Sequence, residues 1–222
     1  MIKKVIKINK KVFVVGPATN YARFIEDATL VDDIKDADVV LFTGGEDVSP
    51  KIYGRKAIRQ TFANPERDDI EVRVYNMIKP NQLCIGVCRG SQLMCALNGG
   101  LLVQDVSGHA IFGTHPIITL EGEIFEITST HHQMQYPYSL PKDYYDIVAI
   151  CDSRRSRYYE GLDETEIPAL VSNGEPEIVL YHVPGKPKAL AIQGHPEVMR
   201  PNSPTVEWLN KKINEILKTI KK

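Results

Sequence analysis

The stretch Gly86-Val87-Cys88-Arg89-Gly90 decides the fold of this chain. It follows the apolar run at 83–85 and precedes the helix-like stretch at 91–98, a context that predicts a strand, a sharp turn and a helix with a thiol at the turn. Glycines on both sides suit a turn whose backbone passes close to itself. The N-terminal dipole and free N–H groups of the following helix favour a thiolate at Cys88. The glycine spacing by itself leaves open a buried cysteine at a strand end.

A second motif near the end of the chain supplies partners for this thiol. Gln193-Gly194-His195-Pro196-Glu197 follows the apolar strand predicted at 189–192. Proline holds the link extended, so the side chains of His195 and Glu197 project to the same side. Glu197 can then orient the imidazole through one ring nitrogen while the other nitrogen faces a thiol. We therefore predict a catalytic triad of nucleophile, base and orienting acid.

With both motifs considered, the chain resembles the class I glutamine amidotransferases, whose Cys-His-Glu triad corresponds here to Cys88, His195 and Glu197. Three more motifs are similar to the branch of gamma-glutamyl hydrolases and gamma-glutamyl-gamma-aminobutyrate hydrolases: Phe42–Pro50 with Tyr53-Gly54, Arg67-Asp68 with Glu71, and Ser129–Gln133. The resemblance implies a flavodoxin-like fold with an added β-rich segment. It also implies that Gln92 helps to hold the amino-acid end of the substrate.

The alternation of predicted elements independently indicates an α/β fold with a mostly parallel sheet and helices on both faces. The predicted elements are strands at 11–15 and 37–42, helices at 21–27 (capped by Asn20), 66–78 and 205–220, β-rich runs at 117–150 and a hairpin at 178–192. In the helix at 66–78 the apolar face is expected to carry Ile70, Val74, Met77 and Ile78.

Composition bounds the class of protein. A chain of 222 residues suits one domain spanning 1–222. Hydrophobic residues make up 43% and charged residues 25%, with a formal net charge of −1, so no nucleic-acid footprint is expected. No apolar run predicts a membrane span, and the start at 1–5 lacks the features of a secretory signal.

Cysteine usage points to a reducing compartment, so we expect a cytoplasmic protein. The four cysteines, Cys84, Cys88, Cys95 and Cys151, indicate neither a disulfide framework nor a zinc site. Cys84 and Cys95 are expected to pack in the core. His109, His115 and His182 belong to no motif, and no cofactor is predicted.

The predicted chemistry starts with attack of the Cys88 thiolate on the γ-carbonyl of glutamine or of a γ-glutamyl amide. The tetrahedral oxyanion needs N–H donors, which we expect from Arg89 and from Gly44 or Gly45. His195 then protonates the leaving amine and activates water to release glutamate from the thioester.

The His-His-Gln motif has two interpretations. His131, His132 and Gln133 could line the substrate pocket or form a polar turn, and we favour the pocket. Metal binding there is not predicted, because no acidic or thiol ligands lie at suitable spacing. Asp47 and Tyr53 are expected to brace the oxyanion loop rather than to touch substrate.

Two features depart from the family pattern. Relatives often have an aromatic residue before His-Pro-Glu, whereas this chain has Gly194, which we expect to open space near the base. The polar stretch at 152–174 is expected to be a solvated loop, with a lid or a docking surface as the alternatives.

Three functions remain open at this point. The chain is a stand-alone γ-glutamyl hydrolase, the glutaminase subunit of a separate synthetase partner, or a non-catalytic regulatory protein on the same fold. The Gly-Gly-Glu-Asp-Val-Ser-Pro and His-His-Gln motifs favour the first.

Overall fold

The computed structural model describes residues 9–220. Its strands are β1 (Lys10–Val15), β2 (Ala28–Leu30), β3 (Val39–Phe42), β4 (Leu83–Val87), β5 (Leu101–Val103), β6 (Asp105–Val106), β7 (Ala110–Thr119), β8 (Ile124–Thr130), β9 (Met134–Tyr136), β10 (Tyr145–Cys151), β11 (Tyr159–Glu160), β12 (Pro176–Tyr181) and β13 (Ala189–Ile192). Its α-helices are α1 (Pro65–Tyr75), α2 (Arg89–Leu97), α3 (Ile167–Asn173) and α4 (Pro204–Ile220). Short 3-10 helices cover Thr19–Phe24, Ile34–Asp36, Pro50–Tyr53, Pro137–Ser139, Lys142–Tyr144 and Pro196–Val198.

The central sheet is mixed and divides into two halves. Nine strands follow the order β2-β1-β3-β4-β13-β12-β10-β7-β8. The strands from β2 to β13 pair in parallel, and we call them the parallel half. The pairs from β13 through β12, β10 and β7 to β8 are antiparallel, and we call β12, β10, β7 and β8 the antiparallel half. The predicted α/β class is confirmed, with the β-rich segment built onto one edge of the same sheet.

Helices cover both faces of the sheet because the buried strands are apolar on both sides. On one face α4 packs Val206, Leu209, Ile213 and Leu217 against the sheet. On the other face α2 packs Leu93, Met94 and Cys95 against strand residues such as Val40, Phe42 and Cys84. The helix predicted at 205–220 is therefore confirmed as α4. Cys84 and Cys95 are core residues, as expected.

The predicted first helix is wrong in type and position. Residues Thr19–Phe24 form a 3-10 helix that begins after Ala18, so Asn20 lies inside it and is not its cap. The segment is short because Ile25 already has an extended backbone.

The predicted inner face of α1 is only partly right, because Val74 and Ile78 pack on the core whereas the other two residues do not. The helix ends at Tyr75, and Ile70 and Met77 are 52% and 56% exposed. Asp68 and Glu71 point inward instead and are fully buried. Periodicity failed here because buried ion pairs, described below, replace apolar contacts on this face. The cap at Asn64 and Pro65 at the first helical position agree with the expected start.

The segment at 152–174 is folded onto the body, which corrects the expected solvated loop. It contains β11 and α3, and it buries Ser156, Tyr159 and Leu170. The Glu175 carboxylate accepts hydrogen bonds from the N–H groups of Arg155 and Ser156, both at 2.9 Å. Backbone donors held by a buried carboxylate fix this segment in place.

No helix within residues 9–220 is long and apolar enough to cross a membrane. The prediction that residues 1–5 are not a secretory signal lies outside the described residues.

Candidate active site

The turn at Cys88 is a strained elbow at the carboxyl end of β4. Cys88 has φ 51° and ψ −109°, a backbone conformation that side chains rarely adopt and that costs on the order of 1–3 kcal/mol. A Cβ at Gly86 would lie 2.3 Å from the carbonyl oxygen of Gly90, and one at Gly90 would lie 2.4 Å from that of Phe42. Both glycines are therefore required by close backbone approach, as the sequence predicted.

The structure brings together the three residues predicted as a triad. The N–H of Cys88 donates to the carbonyl of Ile192 at 2.8 Å, which places the elbow beside the end of β13. His195 follows β13, and its Nδ1 lies 2.7 Å from Oε1 of Glu197. The backbone N–H of His195 donates to Thr128 Oγ1 at 2.7 Å, so β8 fixes the position of the base.

The electrostatics of His195 suit an ion pair with the thiol. Burial lowers its pKa, but hydrogen bonds and charge interactions with Cys88 and Glu197 outweigh burial and raise the pKa to about 10. Cys88 is one of the groups that raise the pKa of this ring, so the thiol and the imidazole interact. An imidazolium beside a thiol stabilises the thiolate.

The residues predicted as oxyanion donors lie near Cys88. A Cβ at Gly44 would lie 3.5 Å from Cys88 Cβ and 3.1 Å from His195 Cε1, so the open side of Gly44 faces both residues. Gly45 lines the same cavity as Cys88. Arg89 is the first residue of α2, and the N–H of such a residue has no acceptor within its helix.

Two arginines bond to acidic residues of α1 and thereby support the loop at Gly44 and the elbow at Cys88. Arg67 donates from Nη2 to the carbonyl of Gly44 at 2.8 Å and from Nε to Glu71 at 2.8 Å. The buried side chain of Arg89 pairs with Asp68 at 2.5 Å and also with Glu71. We call Arg67, Asp68, Glu71 and Arg89 the arginine brace. The sequence showed the Arg67-Asp68 and Glu71 motif but not this role.

A cavity of about 240 Å³ adjoins the thiol. Its lining includes the four residues predicted to bind substrate, Gln92, His131, His132 and Gln133. The Gln92 side chain donates to the carbonyl of Gln133 at 3.0 Å, and Nδ1–H of His131 donates to the same carbonyl at 2.8 Å. The His-His-Gln turn is therefore tied to the first turn of α2.

The two histidines of this turn have opposite electrostatic environments. Burial lowers the pKa of His131 to about 3, so its ring is neutral. His132 lies between Asp47 at 3.0 Å and Asp105 at 3.1 Å, and hydrogen bonding to Asp47 raises its pKa. Asp47 also accepts from the N–H of Phe62 at 2.8 Å, which fits its predicted bracing role.

The expected space beside Gly194 is absent, which corrects that prediction. A Cβ at Gly194 would lie 2.5 Å from the carbonyl oxygen of Thr128 and 2.6 Å from Ile127 Cγ1. Strand β8 occupies the volume that an aromatic side chain would need.

A wider cavity of about 590 Å³ lies on the other side of His195. Tyr21, Phe112, Val198 and Glu197 contribute to its walls. Phe112 is 88% exposed and Val198 is 59% exposed.

Sequence analysis missed a cluster behind the first cavity. His109, His115, Cys151 and Glu177 are all buried, and one ligand atom from each lies within 4.8 Å of the others. Their separation in sequence hides the cluster, because β7, β10 and β12 become neighbours only in the sheet. The one available signal was a set of polar residues inside apolar strand patterns.

Comparison with known proteins identifies the family. The family model described as Peptidase C26 matches residues 21–139, a range that contains Cys88 and ends before His195. A glutamine amidotransferase-like protein of Lactococcus lactis subsp. cremoris, the YvdE homolog, is 40% identical over 72 residues. That alignment covers 32% of this chain and only 38% of the relative.

Solved structures share the fold at low sequence identity. A GMP synthase subunit from Thermoplasma acidophilum superposes with a TM-score of 0.60 at 16% identity, over 97% of each chain. PurLQS from Thermotoga maritima gives a TM-score of 0.60 at 16% identity, over 95% of this chain and 100% of that one. These likenesses show the fold, and the family match covers more than half of the sequence. The chain therefore belongs to the Peptidase C26 family, which is class I glutamine amidotransferase-like.

Proposed function

We propose that this protein hydrolyses γ-glutamyl amide bonds through a γ-glutamyl thioester on Cys88, as the gamma-glutamyl hydrolase branch of its family does. The observation that carries the proposal is the grouping of Cys88, His195 and Glu197, in which Cys88 and Glu197 both interact with the His195 ring and Gly44 faces Cys88 and His195. Nucleophile, base and orienting acid in mutual reach are the parts that acyl transfer requires.

In the first half of the reaction, the Cys88 thiolate attacks the γ-carbonyl carbon and forms a carbon–sulfur bond. The carbonyl electron pair moves to the oxygen, which needs N–H donors. Arg89 supplies one donor. Gly45 is the better second donor, because it faces the cavity whereas Gly44 lies against the Tyr21 hydroxyl. The His195 imidazolium then protonates the leaving nitrogen as the carbon–nitrogen bond breaks.

In the second half, neutral His195 takes a proton from water, and the resulting hydroxide attacks the thioester. The carbon–sulfur bond breaks, and glutamate leaves with the thiolate restored. Glu197 keeps the ring oriented in both halves through its contact at Nδ1.

The small cavity suits the amino-acid end of a γ-glutamyl group. Its own backbone N–H and then Arg67 lower the pKa of Glu46 to about 2, so an ionised carboxylate stands at the cavity wall. That charge complements the α-ammonium of a glutamyl group. Gln92 and the His-His-Gln turn supply the neighbouring polar surface.

A panel of γ-glutamyl compounds tests the proposal. Purified protein is incubated with glutamine, γ-glutamyl-γ-aminobutyrate and γ-glutamyl peptides, and released glutamate is measured. Mass spectrometry of acid-quenched samples should show Cys88 carrying a glutamyl group. Absence of both glutamate release and the thioester across the panel would contradict the proposal.

The wide cavity beside His195 favours a second candidate, a glutaminase subunit that passes ammonia to a synthetase partner. Phe112 and Val198 expose apolar surface next to the base, where a partner could dock. Two proteins of this fold have names that fit such assemblies, PurLQS and the GMP synthase subunit.

The two candidates differ in the effect of Phe112→Ser. A stand-alone hydrolase should keep its glutaminase rate whether or not host extract is added, and Phe112→Ser should not change any effect of the extract. A partnered subunit should have low basal activity that rises when extract is added. That rise should be lost in Phe112→Ser, while basal activity is kept.

A further inference from the structure

Four buried side chains behind the candidate active site form a group of metal-ligand type. His109 precedes β7, His115 lies on β7, Cys151 ends β10 and Glu177 lies on β12. Each is at most 3% exposed. The mechanism proposed above uses none of them, and apolar core contacts do not explain four polar groups in one place.

The distances from Glu177 Oε1 to the two histidines match a tetrahedral zinc site, and the thiol lies slightly farther out. Two ligand atoms bound about 2.0–2.3 Å from tetrahedral zinc lie about 3.3–3.8 Å apart. Glu177 Oε1 is 3.3 Å from His109 Nδ1 and 3.3 Å from His115 Nε2. Cys151 Sγ is 3.9 Å from Glu177 Oε1 and 4.0 Å from His115 Nε2. The thiol lies nearest to His115 Nδ1, at 3.3 Å, so it must move toward Nε2 to complete the tetrahedron.

The outer hydrogen bonds of both histidines leave one ring nitrogen of each free to bind a metal. His109 Nε2 lies 3.1 Å from a Glu175 carboxylate oxygen, and His115 Nδ1 lies 3.0 Å from the carbonyl of Pro116. Each oxygen accepts a hydrogen bond from the N–H of its ring nitrogen, which leaves the lone pair of the other nitrogen facing Glu177. Such partners to carboxylates and carbonyls are typical of metal-binding histidines.

The same geometry leaves polar atoms of the cluster without hydrogen bonds. Among residues 9–220, His109 Nδ1 and Glu177 Oε2 have no hydrogen-bond partner. A ring lone pair 3.3 Å from a carboxylate oxygen is repulsive unless a proton or a cation lies between them. A thiolate and a carboxylate with two neutral imidazoles would carry two negative charges, which a divalent cation balances.

We propose that His109, His115, Cys151 and Glu177 bind one structural Zn²⁺ ion. The ligand set of nitrogen, sulfur and carboxylate oxygen suits zinc, and a buried four-ligand site leaves no open position for catalysis. Zinc here would hold the antiparallel half together, since its ligands belong to three neighbouring strands.

The site also reaches the substrate cavity through His131. The His131 ring is 4.6 Å from that of His109, centroid to centroid, and its Nε2 lies 3.9 Å from Glu177 Oε1. His131 in turn lines the cavity and binds the carbonyl of Gln133. Occupation of the site should therefore fix the His-His-Gln turn.

The test measures zinc per chain by elemental analysis and is made in the Cys88→Ala background, which excludes binding at the nucleophile. Protein purified without a metal-affinity tag should carry about one zinc per chain. Exchange for Co²⁺ should give a thiolate-to-cobalt absorption band in the near ultraviolet. Cys151→Ser should lose that band and His115→Gln should lose most of the zinc, whereas the buried control Cys95→Ser should keep both.

Two outcomes would overturn the proposal. One is a protein without zinc even after unfolding and refolding in zinc-containing buffer, which would leave a protonated histidine–carboxylate network as the explanation. The other is zinc content unchanged in His115→Gln and Cys151→Ser. If these variants fail to fold, the cobalt band and a melting temperature lowered by chelation decide the matter in the parent protein.

Discussion

Two pairs of buried carboxylates flank the two halves of the sheet, and the two pairs have different partners. Next to the parallel half, Asp68 and Glu71 meet the guanidinium groups of the arginine brace. In the antiparallel half, Glu175 and Glu177 meet the imidazoles of His109 and His115. Arginine is always charged and has no lone pair to offer, whereas neutral histidine is a metal ligand. The first pair forms a closed brace, and the second forms a group that can accept a cation.

The difference matters because residues next to both halves of the sheet contribute to the candidate active site. The elbow and the loop at Gly44 rest on the arginine brace, while β8 and the His-His-Gln turn belong to the antiparallel side. We therefore expect changes beside the parallel half to remove chemistry or stability outright. Changes on the antiparallel side should act by moving parts of the site.

The largest effect is expected for Cys88→Ala. Loss of a nucleophile in a triad costs on the order of 10⁴-fold or more in kcat, so γ-amide hydrolysis should disappear. The fold should persist, because alanine keeps the small volume at the elbow. Glutamate release and thermal unfolding check the two halves of this prediction, with Cys95→Ala as the control thiol. Activity near wild type in Cys88→Ala would remove Cys88 from its role.

Arg89→Met should be the most destabilising single change outside the chemistry. It leaves Asp68 and Glu71 buried without their cation, and breaking such a buried pair costs about 3–5 kcal/mol in the free energy of unfolding. Urea unfolding of wild type and variant measures this loss. The exposed pair of Lys51 and Asp69 beside the same helix gives a control, since Lys51→Ala should cost about 1 kcal/mol or less. Equal losses in both variants would show that the brace is not a buried charge network.

The elbow and the triad could be predicted from sequence because each depends on local pattern. Two glycines, a cysteine and a helix fix the turn at 86–90, and proline fixes the relation of His195 to Glu197. The parallel strands follow from apolar runs, and their carboxyl ends must meet. Family resemblance added Gly44, Gly45 and Gln92 to the same edge.

The arginine brace and the histidine cluster could not be predicted in the same way. Asp68 and Glu71 occupy positions that helical periodicity assigns to apolar residues, and only the position of Arg89 beneath the elbow explains them. His115 and Cys151 become neighbours through the pairing of β7 with β10, which sets Cys151 opposite Ile117. That register depends on the whole sheet and not on any short stretch of sequence.

His195→Ala should slow alkylation of Cys88 by iodoacetamide at low pH. The raised pKa of His195, about 10, keeps an imidazolium beside the thiol through the neutral range. Because an imidazolium stabilises a neighbouring thiolate, the variant should react more slowly than wild type at pH 6.5. Glu197→Gln should lie between wild type and His195→Ala. Equal rates in all three proteins at pH 6.5 would contradict the ion pair.

The same raised pKa makes a prediction for stability. The folded-state pKa of His195 lies above the unfolded value of about 6.5, so its protonation stabilises the fold fully below pH 6.5. This contribution should be lost as the pH rises toward 10. The difference in unfolding free energy between wild type and His195→Ala, measured at pH 6 and pH 10, should therefore shrink at the higher pH. A difference that grows with pH would reverse the sign and contradict the assignment.

The smallest expected effect lies at the boundary between the two halves, where Gly194 passes β8. The new Cβ of Gly194→Ala would lie 2.5 Å from the carbonyl oxygen of Thr128, so the chain at 194 must move away from β8 slightly, at about 1–3 kcal/mol in the free energy of unfolding. The bond from the N–H of His195 to Thr128 Oγ1 lies at the same point, and kcat should fall with it. Gly113→Ala on β7 is the matched control, because the nearest atom to its added Cβ is 3.8 Å away. Equal unfolding free energies of the two variants would mean that β8 can move away from the added Cβ without loss of stability. Lost activity with full stability in Gly194→Ala would instead show that the antiparallel half acts on the chemistry only through the position of His195.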